Sequence, residues 1–170
     1  MKEIDIAQLR RLLAYDAQTG VITWRAGQGH LRNGNGRVRP GDEAGWRASN
    51  GYRIISFAGG RYQTHRLAWL FSYGVWPSRE IDHINGIRDD NRIANLREAT
   101  RSQNNGNSKL SGRNTSGFKG VSPDQRGGFK AQISKDGLRK FLGRFASAEE
   151  AHRAYILAAQ DQWGKFARTS

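Results

Sequence analysis

Apolar residues in the N-terminal part of the chain first recur at helical spacing and then alternate. Ile6, Leu9 and Leu13 share one face of a helix predicted over residues 4–15. Shorter stretches separated by glycine turns then predict strands, and Thr64 is placed to cap a further helix. In chain order the predicted elements are a helix at 4–15, a strand at 21–24, hairpin strands at 52–57 and 61–64, and a helix at 65–73.

The middle of the chain places an acid next to an imidazole. Residues 81–84 form a short apolar stretch that predicts the end of a strand, with Asp82 beside His83. Neighbouring residues on a strand point to opposite faces, so these two side chains can act on different atoms of one substrate. A polar loop turned by Gly86, a short strand or turn at 93–98 and a helix starting at Thr100 or Ser102 follow.

After residue 118 the pattern becomes that of a small sheet and one long helix. Phe129, Ala131 and Ile133 alternate with polar residues, and Asp136-Gly137 is a strong hairpin signal. Ser147 fits the start of a helix whose small residues allow close packing on a sheet. The predicted elements are strands at 118–122, 129–135 and 138–145 and a helix at 147–163, with the other sheet face polar and basic.

Composition narrows the range of partners. Lys and Arg number 28 against 15 Asp and Glu, a formal net charge of +13, which favours binding to nucleic acid or to an anionic membrane surface, with the membrane the weaker choice. No apolar run approaches the ~20 residues of a membrane span, and no segment is typical of a signal peptide. We therefore expect no membrane contact and a cytoplasmic location in a bacterial or phage-infected cell. The absence of cysteine excludes disulfides and cysteine-based zinc sites.

Two glycine-rich segments have alternative interpretations. Residues 25–42 alternate glycines with basic residues, as in a flexible loop that lies along phosphates or is simply solvated. Residues 105–117 predict a linker, so we expect domains at 1–104 and 118–170. Lys109 and Arg113 can follow the DNA backbone, or the linker can be a free tether.

The chemistry of the central residues suits phosphodiester hydrolysis. A neutral imidazole is well matched to removing a proton from water near pH 7. One carboxylate and one amide oxygen make a hard, incomplete ligand shell, which suits one Mg²⁺ or Mn²⁺ ion. The alternative for an isolated Asp-His pair is a turn residue beside a surface histidine.

Five motifs stand in order between residues 65 and 104: His65-Arg66-Leu67, Asp82-His83-Ile84-Asn85-Gly86, Asp90-Asn91-Arg92, Asn95-Leu96-Arg97 and Gln103-Asn104. This order and spacing resembles the HNH nucleases, in particular the phage and homing-endonuclease branch that often has asparagine at the last position. The resemblance implies a ββα-metal (His-Me finger) fold over about 64–104. It also implies that His83 is the general base, Asn95 braces the loop, and Asp82 and Asn104 bind the metal ion.

The C-terminal third carries a second set of motifs: Gly120-Val121, 129–133, 142–145, Glu149-Glu150-Ala151, Ala154-Tyr155 and Ala158-Ala159. These resemble the ethylene-response-factor (Apetala-type) domain of plants, whose three-stranded sheet lies in the major groove of DNA. The resemblance implies DNA contacts from Lys119, Ser122, Lys130, Gln132, Arg139 and Phe141. Lys119 and Ser122 stand where the plant domains have arginine, and lysine cannot make bidentate contacts to guanine, so we expect different base readout.

Together these observations predict an α+β protein with N-terminal β-hairpins, an HNH nuclease domain and a small sheet packed on one helix. The predicted function is metal-dependent cleavage of double-stranded DNA by a monomer without a small-molecule cofactor. Further predicted DNA contacts are His65, Arg97 and Arg101. The alternatives are a DNA-binding regulator without catalytic activity and an RNA-binding or RNA-cleaving protein. The presence of Asp82, His83 and Asn104 together favours the nuclease.

Overall fold

The computed structural model describes residues 5–25, 28–33 and 36–169, with side chains for all of these outside 28–36. The chain divides into two compact units, Met1–Glu98 and Ala99–Ser170. Both units mix short helices with small antiparallel sheets. Within the described residues, no helix combines the length and hydrophobicity that crossing a bilayer requires.

The first unit is built from short strands around two helices. Its elements are α1 (Ile6–Leu12), β1 (Leu13–Tyr15), β2 (Ile22–Trp24), β3 (Gln28–Asn33), β4 (Gly36–Val38), β5 (Trp46–Arg47), β6 (Arg53–Phe57), β7 (Gly60–Gln63), α2 (Thr64–Tyr73), β8 (Glu80–His83), a 3-10 helix (Ile93–Asn95) and β9 (Leu96–Ala99), whose last residue falls in the second unit. The sheets are the pairs β1–β2, β3–β4 and β8–β9 and the three-stranded sheet β5–β6–β7.

The first helix is shorter than the apolar spacing predicts. Asp5 caps it by accepting a hydrogen bond from the Ala7 amide at 3.0 Å. Leu13 then leaves the helix and pairs with Trp24 as the first residue of β1. Leu13 is fully buried there, so the strand buries the same apolar side chain that a longer helix would have buried. Residue 4, where the predicted helix begins, lies outside the described residues.

The core of the first unit connects α1, the hairpins and α2. Leu9, Ile22, Ile55 and Leu67 are all buried in one apolar cluster. Gly74 ends α2 in the left-handed conformation, which glycine adopts without steric cost, and its amide bonds to Leu70 O. The chain then enters β8, which carries Asp82 and His83. The rigid hairpin-and-helix scaffold therefore positions the strand that bears the candidate site.

The basic segment at 25–42 differs from the flexible loop expected there. Its backbone forms the antiparallel pair β3–β4, with Asn33 opposite Gly36. Residues 26–27 and 34–35, and the side chains between them, lie outside the described part of the chain. The DNA contact considered for this segment stays a prediction.

The second unit is a three-stranded sheet packed on one long helix. Its elements are α3 (Arg101–Gly106), β10 (Val121–Pro123), β11 (Phe129–Lys135), β12 (Leu138–Phe145), α4 (Ala148–Trp163) and a 3-10 helix (Gly164–Phe166). The sheet order is β10–β11–β12, as the hairpin signals predict. The buried residues of α4 follow helical spacing: Ala148, Ala151, Tyr155, Ala159 and Trp163.

The predicted linker is part of this second unit. Asn114 donates from Nδ2 to the carbonyls of Phe118 (2.9 Å) and Val121 (3.1 Å). Gly106 lies so close to the Trp163 ring that a β-carbon there would be 2.9 Å from Cγ. The two compact units divide after residue 98, and the domain limits of 1–104 and 118–170 stay a prediction. Side chains that form turns give residues 105–117 an ordered course.

Gly120 makes the closest approach between the sheet and α4. Its φ is +74°, and a β-carbon there would lie 2.7 Å from Cγ of Tyr155. Gly117 has nearly the same φ, +77°, but within the described residues nothing lies within 4 Å of the equivalent position. Both glycines adopt a positive φ, but of the two only Gly120 has neighbouring atoms, within the described chain, that would collide with a β-carbon.

We expect Gly120→Ala to destabilise the second unit by about 2 kcal/mol more than Gly117→Ala, because overpacking of a tight contact adds to the strain of positive φ. The difference is measured by urea unfolding of the full chain, with amide hydrogen exchange in α4 reporting on the second unit. Equal losses in the two variants would show that the Tyr155 contact is not tight.

Candidate active site

Strand β8 holds the acid and the imidazole in buried positions. Asp82 is 3% exposed and His83 4% exposed. As the alternation of a strand requires, they meet different partners. Asp82 contacts Arg97 on the paired strand β9, whereas His83 contacts Asn91 and the rings of His65 and Tyr52. One strand therefore presents two buried chemical groups in different surroundings.

The loop after β8 is held closed by side-chain amides. Asn95 Oδ1 accepts from the Asn85 amide (3.0 Å), and Asn95 Nδ2 donates to Asn85 Oδ1 (3.0 Å) and to Asp90 O (2.8 Å). The Ile84 amide also donates to Asn95 O at 2.9 Å. Asn95 thus braces the loop in the manner that the family resemblance implies, and its importance for catalysis stays a prediction.

Two further carboxylates in this loop have structural partners. Asp90 accepts from Arg92 at 2.8 and 2.6 Å and from Asn85 Nδ2 at 2.6 Å. These bonds, Arg92 foremost, lower the pKa of Asp90 to about 2, so it is ionised at neutral pH. Asp89 accepts from Arg53 at 3.2 Å. Both carboxylates therefore hold the loop in place.

The His83 imidazole is kept neutral by its surroundings. Burial is the main cause that lowers the pKa of His83, and the Asn91 hydrogen bond and the Asp82 charge oppose it. Nε2 of His83 lies 3.2 Å from Oδ1 of Asn91. A neutral imidazole at pH 7 has the protonation state that a general base needs.

His65 is a second buried imidazole at the start of α2. It is 4% exposed, and its ring lies 5.2 Å from the rings of both His83 and Tyr52. Burial lowers its pKa to about 3, with smaller contributions from His83 and Arg66. Its Nδ1 has no hydrogen-bond partner within the described part of the chain. His65 is therefore a neutral ring that packs beside His83. The DNA contact predicted for His65 stays a prediction.

Arg97 pairs with the candidate metal ligand. Its Nε and Nη2 both donate to Oδ2 of Asp82 at 2.8 Å. In this structure the Arg97 guanidinium contacts Asp82, and the DNA contact predicted for Arg97 stays a prediction. The pair is largely buried, with side-chain exposures of 16% for Arg97 and 4% for Asp82.

The residues around Asp82 fit a divalent ion that keeps much of its own water shell. Two bonds from Arg97 fall on Oδ2 of Asp82, and a carboxylate has about four acceptor sites. Among the described residues, no three His, Cys, Asp or Glu side chains cluster as a metal cage. Mg²⁺ tolerates such an open site because it binds through one or two carboxylates plus waters and phosphates. The other implied ligand, Asn104, is on α3 in the second unit.

Arg97→Gln is expected to lower the free energy of unfolding by about 3 kcal/mol, because it removes the cationic partner of a buried carboxylate. Arg92→Gln is the matched control, since it removes an exposed guanidinium from the same region and should cost much less. Urea denaturation at pH 7, followed by tryptophan fluorescence, measures both. Equal losses would mean that the Asp82 pair is not buried in solution.

The exposed face of the second unit's sheet carries five of the predicted DNA contacts. The strand registers pair Ser122 with Lys130, Gln132 with Phe141, and Ser134 with Arg139. These side chains share the face opposite the buried Ala131 and Ile133. A concavity of about 440 Å³ opens on this face, lined by Lys130, Gln132, Phe141, Arg144 and residues 124–126.

Arg144 is a member of this surface that the sequence did not single out. It donates to Asp124 at 2.8 Å, and its guanidinium lies 5.4 Å from the centre of the Phe141 ring. Its position in the register, opposite Lys130, was the available signal. Arg101, Lys109 and Arg113 are exposed elsewhere in this unit, and their DNA contacts stay predictions.

Lys119 does not lie on the exposed sheet face. Its Nζ donates to the carbonyls of Gly106 (2.7 Å), Ser108 (2.6 Å) and Arg168 (3.3 Å). Burial lowers the pKa of this amine to about 8. The three donors of the ammonium group thus hold backbone segments together. The DNA contact predicted for Lys119 stays a prediction.

Asn91 and Tyr15 are two residues near His83 that the sequence did not assign to catalysis. Asn91 belongs to the Asp90-Asn91-Arg92 motif, and in the structure it contacts His83. The Tyr15 hydroxyl donates to Asn91 O at 2.8 Å from 76 residues away. The sequence gives no signal for a contact between positions so far apart, whereas Asn91 stood inside a recognised motif.

Comparison with known proteins agrees with the nuclease interpretation. The family model described as HNH endonuclease matches residues 62–106. An uncharacterized HNH endonuclease of Acanthamoeba polyphaga mimivirus is 33% identical over 115 residues, which cover 66% of this chain and 59% of that protein. The chain thus spans about three fifths of this relative's length. No solved structure matches the chain. The two sequence matches support a nuclease enzyme.

Proposed function

We propose that this chain is a metal-dependent DNA endonuclease of the HNH type, in which His83 activates water for hydrolysis of a phosphodiester bond. The observation that carries the proposal is a buried, neutral imidazole beside a buried carboxylate, on a strand whose following loop is locked by Asn85 and Asn95. These residues lie within the segment that matches the HNH endonuclease family.

His83 accepts the proton of the attacking water. Its neutral form is available at pH 7 because burial disfavours the imidazolium. His65 and Tyr52 pack against the ring and limit its rotation, and the neutrality of His65 avoids a second positive charge beside the base. The imidazole is therefore oriented as well as deprotonated before substrate arrives.

Asp82 supplies a carboxylate on the other side of β8. HNH nucleases generally use a divalent metal ion, and the identity proposed here is Mg²⁺ or Mn²⁺. When bound, such an ion stabilises charge on the phosphate and on the leaving oxygen. Asp82 is the ligand that the first unit provides, and Arg97 holds its carboxylate in one orientation. The ligand role of Asn104 remains an expectation from the resemblance.

The proposal predicts cleavage of supercoiled plasmid with Mg²⁺ or Mn²⁺ and its loss in His83→Ala. Removing a general base should lower the rate at least about 100-fold, while DNA binding is retained. Open-circle product would indicate nicking, and linear product double-strand cutting. A wild-type chain that binds DNA but leaves it intact with every divalent ion would favour a DNA-binding regulator. Undiminished cleavage by a folded His83→Ala variant would exclude this base.

The exposed sheet face of the second unit is proposed as a duplex-binding surface of the ethylene-response-factor type. Lys130 and Arg139 contribute positive charge, and Gln132 and Phe141 contribute groups that can contact base edges. The support for this proposal is the strand register, which brings these residues to one face, together with the net charge of +13. Binding here would raise the local concentration of DNA at the nuclease site.

Arg139→Gln is expected to weaken duplex binding. It should also reduce the slope of log Kd against log salt concentration by about one, because one phosphate contact is lost. Arg153→Gln is the matched control, because Arg153 is exposed on α4, which covers the opposite face of the sheet. Fluorescence anisotropy with labelled duplex at several salt concentrations measures both. An equal effect of the two substitutions would mean that this face has no special role.

A further inference from the structure

The amide orientation of Asn91 determines which nitrogen of His83 carries the proton. Nδ2 of Asn91 lies 3.2 Å from the Asp89 carbonyl oxygen, which can only accept a hydrogen bond. The NH₂ end of the amide must therefore face Asp89, and the oxygen Oδ1 faces His83. Because an amide oxygen also only accepts, the ring nitrogen 3.2 Å away, Nε2, must be the donor.

This assignment gives the His83 ring a defined tautomer. In a neutral imidazole one nitrogen carries hydrogen and the other carries the lone pair. With hydrogen on Nε2, the lone pair that can accept a proton from water is on Nδ1. An asparagine that turned its NH₂ group toward the ring would favour the opposite tautomer.

Residues 15–20, which end β1 and form the following turn, hold Asn91 in place. Asn91 is 2% exposed, and its carbonyl oxygen accepts from the Tyr15 hydroxyl at 2.8 Å. Burial raises the pKa of Tyr15 to about 12, so this hydroxyl remains a donor. Gly20, with φ +77°, packs on the Asn91 backbone so closely that a β-carbon would lie 2.6 Å from the Asn91 carbonyl carbon. The Ile93 amide also donates to Ala17 O at 3.3 Å.

We propose that Asn91 is a positioning residue that fixes the Nε2-protonated tautomer of His83, and that Tyr15 and Gly20 hold Asn91 in place for this purpose. The inference rests on the proposed function for its consequence in catalysis. It gives the N-terminal hairpin β1–β2 a role at the site: it supports the residue that directs the lone pair of the base. A loop that merely needs Asn91 for stability would not depend on the oxygen at this position.

Two substitutions separate these possibilities. Asn91→Asp keeps an oxygen acceptor opposite Nε2, whereas Asn91→Leu keeps the branched shape of the side chain and removes the acceptor. Imidazole ¹⁵N–¹H spectra of the full chain without DNA or metal, at about pH 8 where a histidine of this kind is neutral, report the tautomer. Signals of His83 are assigned by their loss in His83→Ala.

We expect wild type and Asn91→Asp to show hydrogen on Nε2, and Asn91→Leu to show an increased share of hydrogen on Nδ1. A wild-type ring protonated on Nδ1, or an unchanged tautomer ratio in Asn91→Leu, would overturn the inference. If Asn91→Leu does not fold, the wild-type tautomer still decides the assignment.

Cleavage provides the second readout. Asn91→Leu should lose roughly 100-fold in rate, within the range of general-base contributions, and Asn91→Asp should recover most of it. Tyr15→Phe removes one hydrogen bond to Asn91 and should cost roughly tenfold or less. A loss in Asn91→Asp as large as in Asn91→Leu would indicate a merely structural role. If the wild-type chain does not cleave DNA, the proposed function fails, whereas the spectra still test the tautomer.

Discussion

The reciprocal hydrogen bonds between Asn85 and Asn95 are the constraint on which the candidate site depends. An irregular loop has no strand ladder to satisfy its backbone, so side chains must take over that task. Asn95 does so from both ends of its amide, bonding to the Asn85 amide, the Asn85 side chain and the Asp90 carbonyl. The loop thereby returns to β8 in a fixed course, and Asn91 reaches His83. A site built on one two-stranded pair gains its precision from these amides.

Burial has a different electrostatic consequence on each face of β8. The Asp82 carboxylate pairs with the Arg97 guanidinium, and both side chains of the pair are largely buried. On the other face, burial keeps His83 and His65 neutral, so two imidazoles can lie 5.2 Å apart without repulsion. Adjacent residues thus provide a carboxylate paired with a guanidinium and an imidazole kept neutral by burial. This arrangement suits hydrolysis of an anionic substrate, for which an extra cation at the base would compete with proton uptake.

The sequence predicted those features that depend on local patterns. Alternation placed Asp82 and His83 on different faces, and hairpin signals with Ser147 gave the sheet and helix of the second unit. Features set by distant partners were not predictable. Leu13 left the predicted helix because Trp24 pairs with it as a strand. Lys119 became an internal anchor because three carbonyls from separate segments converge on its amine. The contact of Tyr15 with Asn91 likewise joins residues that no local pattern relates.

The most direct test of this arrangement measures two quantities on one sample of the Asn95→Leu variant: the hydrogen-exchange rate of the Asn85 amide and the rate of plasmid cleavage. Both are compared with wild type. With the bracing amide removed, the Asn85 amide should exchange faster and cleavage should fall with it. The amides of α2 should keep their protection, because the apolar core around Leu67 is untouched. Faster exchange at Asn85 with cleavage at the wild-type rate would contradict the claim that the closed loop positions the base.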